Sequence, residues 1–413
     1  MVSEDAPRPA AVPLQLLAQA PFRRVWIAGA LAGTIRWLDV LAIGIYVLDA
    51  TGSAFLVALT LFVRMVPMFL FGAVAGAYAE TVDRRRLLIG GLCALAVVYS
   101  VVAVAAWAGV LAIWQLGVAV FLTGVFWSFE LPIRRTMVVE IAGLERVGAA
   151  MGLDSSTNNL TRMIGPFAGG LVYELAGLPG TLAIGVAFYL GAAAALTRLD
   201  YGRVAVGGEV APSILHNMVE GFRYARADST IAATLAVTVV LNLFGFSFMS
   251  MVPVIAREDL GLSPFPTGVL MSAEGLGAFV GALLIAFLAT PRRFNQLFVG
   301  GSFVYLAAIL AFSLSPWFEL SLPVLLVGGF GISGFAAMQS ALIIAAAPPG
   351  MRNRIMGVLA MCIGAGPIGI LIVGALADRV GASAAVTTTS IIGLVGLVAA
   401  AFHWPEIRRA RDA

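Results

Sequence analysis

Apolar runs of roughly 19–28 residues follow one another along nearly the whole chain, each long enough to cross a hydrocarbon core of about 30 Å. Short polar breaks, rich in arginine, acid, glycine or proline, separate them. The pattern predicts twelve membrane-spanning helices at 25–48, 54–78, 87–108, 111–133, 148–175, 179–197, 231–255, 267–289, 297–315, 320–346, 356–377 and 382–403. The expected fold class is therefore an all-α polytopic membrane protein.

The breaks alternate in charge. One set holds Arg23-Arg24, Arg84-Arg85-Arg86, Arg134-Arg135 with Arg146, Arg223 and Arg226, Arg292-Arg293, Arg352 and Arg354, and Arg408-Arg409. The other holds mainly Asp49, Glu174, Arg257-Glu258-Asp259, Glu319 and Asp378-Arg379. Arginine-rich loops stay on the cytoplasmic side, so both termini are expected there, as an even number of spans requires. Trp26, Trp107, Trp114, Trp317 and Trp404 fall near span ends, where interfacial anchors belong. Residues 1–22 form a polar tail with prolines at 7, 9 and 13 and no hydrophobic core of a cleavable signal peptide; 404–413 form a second tail.

One long hydrophilic segment, 199–230, divides the spans into halves at 23–198 and 231–403. Its first part is a glycine- and proline-containing linker. Apolar residues at 214, 215, 218, 219 and 222 then predict an amphipathic surface helix. The halves repeat: Gly170, Glu174 and Gly177 match Gly374, Asp378 and Gly381 at an offset of 204, and Gly72 and Gly76 match Gly277 and Gly281 at 205. Parallel six-helix repeats about an axis along the membrane normal are a transporter arrangement.

Composition narrows the classes further. The 413 residues are 61% hydrophobic and 11% charged, with mean hydropathy +0.99, which no water-soluble domain can accommodate. All 25 basic residues are arginines and the net charge is +3, but most of the arginines sit in the breaks between spans, so topology accounts for them and no nucleic-acid partner is implied. Cys93 and Cys362 lie in apolar spans, which indicates neither a disulfide framework nor a thiolate metal site. There is no Walker loop beside a strand and no Ser/His pair, His/Asp cluster or catalytic dyad at usable spacing. An enzyme is not expected, nor is a metal or cofactor.

Seven ionisable residues fall inside spans: Arg36 and Asp39, Arg64, Glu130, Asp154 and Arg162, and Glu274. Each costs about 2.5–3.5 kcal/mol at mid-helix, so each needs a partner or a function. Arg36 and Asp39 stand three apart and could neutralise each other. Asp39, Glu274 and Glu130 are the candidates for carrying a proton, because a carboxylate that loses hydration titrates nearer neutrality. Glu130 lies one turn before Arg134, and Asp154 near the cytoplasmic start of its span, where pairing with Arg134, Arg135 or Arg146 is the plainer reading. Arg36, Arg64, Asp154, Asn158, Asn159, Arg162, Asn242 and Gln339 are candidates for the substrate pathway; the amides could equally bond across helices. Phe126, Trp127 and Phe129, with Phe244, Phe246 and Phe248, could line an apolar cavity or pack as core.

Two motifs concern packing and gating. Gly165-Pro166 and Gly169-Gly170 let a neighbouring helix approach closely, and the proline can bend their own helix. Gly72 and Gly76 end the second span, and Glu80, Asp83, Arg84 and Arg85 follow as an acid–arginine cluster suited either to a breakable gate or to a tight topogenic turn.

These residues resemble the major facilitator superfamily. The loop after span 2 resembles its signature of a glycine, an acid four residues on, and a basic run; span 5 resembles the Gly-Pro motif of its antiporters. The stretches WLDVLAIGIYVLDATGSA (37–54), VDRRRLLI (82–89), FELPIRRTMVVEI (129–141), NNLTRMIGPFAGG (158–170), EGFRYAR (220–226), MRNRIMG (351–357) and GALADRVG (374–381) resemble the bacterial drug–proton antiporter branch, which includes multidrug, macrolide and enterobactin-type siderophore exporters. One departure stands out: the family loop usually has Asp-Arg where this chain has Glu80-Thr81, which leaves the gating pairs open.

The resemblance implies a proton-coupled exporter of amphipathic small molecules, working by alternating access as a monomer in the lipid of the bacterial inner membrane. An importer or facilitator of a nutrient, metal or lipid fits the same fold, as does a non-transporting receptor or scaffold. Proton coupling and the role of Asp39 as the acid of span 1 are implied by the family alone. The resembled fold packs the helix of Arg64 beside span 1, which makes Arg64 a plausible partner for Asp39 unless either meets an anionic substrate group.

Overall fold

Backbone amides in hydrocarbon must satisfy one another within their own segment, and runs of Leu, Ala, Val and Gly this long do so as helices. The computed structural model describes residues 12–81, 83–199, 201, 214–288, 290–348 and 350–408, and among them there is helix and no strand. In chain order the helices are α1 Val12–Ala18, α2 Ala20–Thr51, α3 Ala54–Thr81, α4 Arg84–Trp107, α5 Ile113–Ala142, α6 Val147–Thr197, α7 Ile214–Ala227, α8 Ser229–Val240, α9 Val252–Val254, α10 Pro264–Leu288, α11 Phe294–Ser313, α12 Phe318–Ala346, α13 Arg352–Ile363, α14 Gly366–Val380 and α15 Ala382–His403.

Among the described residues, eleven helical stretches are long and apolar enough to cross a membrane. One of them, α6, has 51 residues, about 77 Å of helix and more than twice the core thickness. It breaks at Gly177, whose φ of 61° and ψ of −168° are open to glycine and not to a side chain, so its two legs are the fifth and sixth predicted spans. Span 7 is irregular: after α8 the chain makes a π turn at Leu241–Gly245, a 3-10 turn at Phe246–Ser250, the short α9 and a second π turn at Ile255–Asp259. Span 11 is interrupted between α13 and α14, with Pro367 at the start of the second piece.

The chain forms two compact units, Met1–Val40 with Val63–Gly208 and Leu41–Phe62 with Glu209–Ala413. The boundary at 198 expected from the repeat therefore does not describe the tip of the α2–α3 hairpin, which belongs to the second unit. The reason lies in the residues around it. Asp378, at the end of α14, accepts from the Ser53 hydroxyl at 3.0 Å and the Phe55 amide at 2.8 Å, and Ser53 Oγ accepts from the Leu56 amide at 3.2 Å. Arg257 pairs with Asp49 at 3.1 Å.

In the first unit α6 lies directly on α2. A Cβ at Gly165 would stand 3.0 Å from the Thr34 carbonyl oxygen, and one at Gly169 2.7 Å from that of Leu38, so only glycine admits this separation. Gly124 of α5 rests in the same way on the Arg64 carbonyl of α3. In the second unit Gly277 and Gly281 of α10 sit against Leu326 and Ser333 of α12, and Gly329 of α12 against the Glu274 carbonyl. Aromatic packing fills the space beside them: Phe248 meets Tyr305 at 6.0 Å and Phe312 at 6.4 Å, and Phe246 meets Tyr305 at 5.6 Å. Phe248 is thus buried core, and Phe246, half-buried, packs on the same aromatic cluster.

The amphipathic linker helix is α7, which docks within the second unit. Glu220 pairs with Arg354, a Cβ at Gly221 would stand 2.8 Å from the Arg354 carbonyl, and Ala225 joins Ile231, Leu235, Ile355 and Leu359 in a buried cluster. Val219 and Phe222 remain exposed beside Arg226.

Candidate functional site

The chemistry that the sequence marks out concentrates in the first unit. The close α2–α6 and α3–α5 contacts bring the polar turns of four helices to one level. Asp39 of α2 and Arg64 of α3 form a bidentate pair, with Nη1–Oδ1 at 2.7 Å and Nη2–Oδ2 at 3.0 Å, and both side chains are 2% exposed. Tyr99 of α4 donates its hydroxyl to Asp39 Oδ2 and packs edge-on against Tyr189, centroids 5.1 Å apart. The partner of Asp39 is therefore Arg64 and not Arg36, three residues away on the same helix. Asp39 thus accepts from three donors supplied by α3 and α4.

Arg36 turns to α5 instead. Its Nη2 donates to Glu130 at 3.0 Å, and its guanidinium lies 4.2 Å above the Trp127 ring, with Arg64 at 5.2 Å from the same ring. Glu130 also accepts from Arg134 one turn later. Arg134 reaches on to Asp154 of α6, which Arg135 meets from its other side at 3.2 Å. Glu130 and Asp154 are thus linked through Arg134 into one chain of charge-assisted bonds across α2, α5 and α6. The separate Asp39–Arg64 pair adjoins it only through the Trp127 ring that Arg36 and Arg64 share. Arg146 stays out of it and donates to the Ala142 carbonyl at 3.1 Å.

The remaining candidates sit elsewhere. Arg162 lies over Trp37 at 5.4 Å, one turn before Gly165-Pro166, which with Gly169 and Gly170 are buried, Gly165 and Gly169 facing α2. Asn158 is exposed and Asn159 half-buried on α6. In the second unit Glu274 is buried on α10. Asn242 donates to the Thr238 carbonyl one turn back at 2.9 Å, within its own distorted helix, and Gln339 is half-buried on α12 with its Oε1 lacking a hydrogen bond.

In the gating loop, Asp83 caps α4, accepting from the Arg86 amide at 3.1 Å and pairing with its Nε at 3.2 Å. Arg84 is buried against Glu140 at 2.6 Å and donates to the Tyr201 hydroxyl at 3.1 Å, while Arg85 bonds the carbonyls of Leu196 and Thr197. Burial, and then the hydrogen bond to Glu140, push the Tyr201 phenol up to about 12. Gly72, Gly76 and Glu80 belong to α3, but their side-chain environment lies outside the described residues, as do residues 1–11 and most of the linker before α7. Trp26, read as an anchor, donates to Thr157 at 2.7 Å, whereas Trp107, Trp114 and Trp317 are exposed. Among the described residues no group of three or more His, Cys, Asp or Glu side chains could hold a metal.

Sequence reasoning missed Tyr99, Trp127 as a platform for two guanidiniums, and the Asp378 cap. Tyr99 carries no local signal, since its role depends on α4 facing α2. Asp378 was visible in the repeat, but its partners 323 and 325 residues away were not.

Residues 11–412 match the family model described as transmembrane secretion effector. The chain belongs to this family, a branch of the major facilitator superfamily. It is 21% identical to macrolide efflux protein A of Streptococcus pyogenes over 87% of this chain and 90% of that protein. It is 26% identical to the enterobactin exporter EntS of Shigella boydii over 97% and 95% of the two chains. A bacterial homologue of the lysosomal transporter Spinster superposes with a TM-score of 0.74 at 13% identity, covering 98% of each chain, which shows the shared fold. The chain is accordingly a multi-pass membrane transporter of the exporter type, with a small molecule as its substrate.

Proposed function

We propose that the protein is a proton-coupled exporter of amphipathic small molecules, of drug or siderophore character, acting by alternating access. It resides as a monomer in the bacterial inner membrane with both termini cytoplasmic, and it does no covalent chemistry on its cargo. The observation that carries the coupling is the Asp39–Arg64 pair. A proton on Asp39 leaves Arg64 with an unopposed charge in a buried site, so protonation and rearrangement of the pair are one event. The arginine-linked carboxylates Glu130 and Asp154 would pass the resulting imbalance along α5 and α6. The relatives named for macrolide efflux and for enterobactin export support a small-molecule cargo of drug or siderophore character.

The test is counterflow in inverted membrane vesicles, with an interior pH probe. Substrate addition should dissipate an imposed interior-acid gradient, and a protonophore should abolish accumulation. Substrate movement indifferent to the protonophore would refute the coupling. Uptake into intact cells driven by an outside-acid gradient would make the protein an importer, and intact function without any flux would make it a receptor or scaffold.

A further inference from the structure

On the first unit, α4 and α5 leave an apolar groove of about 300 Å³ between them. Its α4 wall is Leu87, Gly91, Ala94 and Val98, and Leu122 and Phe129 stand on the α5 side. The groove exists because α4 places small residues where α5 offers rings: a Cβ at Gly91 would lie 2.5 Å from the Phe126 ring. From Leu87 to Val98 is eleven helical steps, about 16 Å, close to half of a hydrocarbon core of about 30 Å. It begins at the arginine-rich end of α4 and stops near mid-membrane. Its length is that of one leaflet.

The charge at its mouth is uneven. Arg84 is committed to Glu140 and Tyr201, and Arg85 to the Leu196 and Thr197 carbonyls, while the Arg86 side chain is 87% exposed. Arg86 directly precedes Leu87, the first residue of the groove, and its one described ion-pair partner is the solvent-facing Asp83. Arg86 does not line the slot, but an exposed cation on the helical turn where an apolar slot of leaflet length begins is complementary to an anionic headgroup above an acyl chain. We propose that this groove is a binding site for one anionic diacyl phospholipid of the leaflet on the arginine-rich side, with an acyl chain against Gly91 and Ala94 and the phosphate at Arg86. The lining carries no polar group that would hold the functional groups of a transported drug.

Native mass spectrometry of the detergent-purified full chain, titrated with palmitoyl-oleoyl phosphatidylglycerol or the corresponding phosphatidylcholine, tests this. The wild type should retain one phosphatidylglycerol about fivefold more tightly than phosphatidylcholine, the scale of one basic residue near an anionic surface. Arg86→Gln, an exposed change that leaves folding intact, should bring the two lipids level. Ala94→Trp fills the slot and should abolish retention of both; Val98→Trp serves the same purpose if Ala94→Trp does not fold. Equal binding of the two lipids by the wild type would overturn the proposal. So would unchanged phosphatidylglycerol retention in the filled-groove variant, or displacement of the lipid by erythromycin, which would make the groove a substrate site.

Discussion

Asp39→Asn should destabilise the protein by about 3 kcal/mol, because it leaves Arg64 charged, buried and without its counter-charge. The wild-type pair makes two bonds, at 2.7 and 3.0 Å, with both side chains 2% exposed. Removing one member of such a pair costs about 3–5 kcal/mol, most of it from stranding the other. The lower end applies here: asparagine keeps one acceptor, and Arg64 retains the Trp127 ring at 5.2 Å and the Arg36 carbonyl at 3.5 Å. Arg64→Gln alone should cost a similar amount by stranding Asp39. The double variant carries two neutral amides that can bond to each other, and should lie within about 1 kcal/mol of wild type. Urea unfolding in mixed micelles, read by tryptophan fluorescence, gives the three free energies and a coupling of at least about 2 kcal/mol. Additivity within about 0.5 kcal/mol would refute the reasoning, since it would mean that the two charges do not depend on one another. The folded double variant then separates stability from transport. If Asp39 carries the proton, this variant folds and does not export.

Three further outcomes follow from the described contacts. Asp378→Ala removes the acceptor for the Ser53 hydroxyl and the Phe55 amide at the start of α3 and should cost about 0.5–2 kcal/mol, the range for a lost helix cap, measured by thermal unfolding. Gly221→Leu drives a side chain against the Arg354 carbonyl and should undock α7 from α13, raising proteolysis of the linker without unfolding the spans. Tyr201 has a folded pKa raised from 10.0 to about 12, so the folded state holds that proton longer than the unfolded one; its contribution is intact below pH 10 and is lost between 10 and 12. Tyr201→Phe should remove that component from an alkaline unfolding series.

The spans, their number and the existence of two repeated halves were legible because hydrophobic length and loop charge are imposed locally by the bilayer. The charged positions were legible for the same reason: Asp39, Arg64 and Glu130 stand out against apolar neighbours. Who pairs with whom was legible only in part: Arg64 beside Asp39 and Arg134 or Arg135 beside Asp154 were expected, whereas Arg36 with Glu130 was not. Arg36 and Asp39 are neighbours in sequence, yet α3 and α5 approach α2 from different sides and separate them, one taking each. Nor could periodicity assign residues 41–62, because a hairpin tip is held by whatever caps it, and here Asp378 and Arg257 do so. Phe246 and Phe248 read equally well as cavity wall or core until α11 and α12 supplied Tyr305, Phe312 and Phe335 around them.

Glycine placement ties the packing to the charges. In both units a glycine of the fourth long helix rests on a main-chain carbonyl of the second, and in both that carbonyl belongs to an ionisable residue: Gly124 on Arg64, Gly329 on Glu274. The turn that bears the charge is thereby fixed in depth by a contact that admits no Cβ. Gly124→Ala must push α3 away from α5 and carry Arg64 with it. Overpacking of this kind costs about 1–3 kcal/mol. Part of that cost comes from weakening the Asp39–Arg64 pair, so it should shrink when the pair is already gone. In the Asp39→Asn/Arg64→Gln background, Gly124→Ala should cost measurably less than in wild type. An identical cost in the two backgrounds would show that the glycine contact sets helix spacing without bearing on the charges, and the link from packing to coupling would fail.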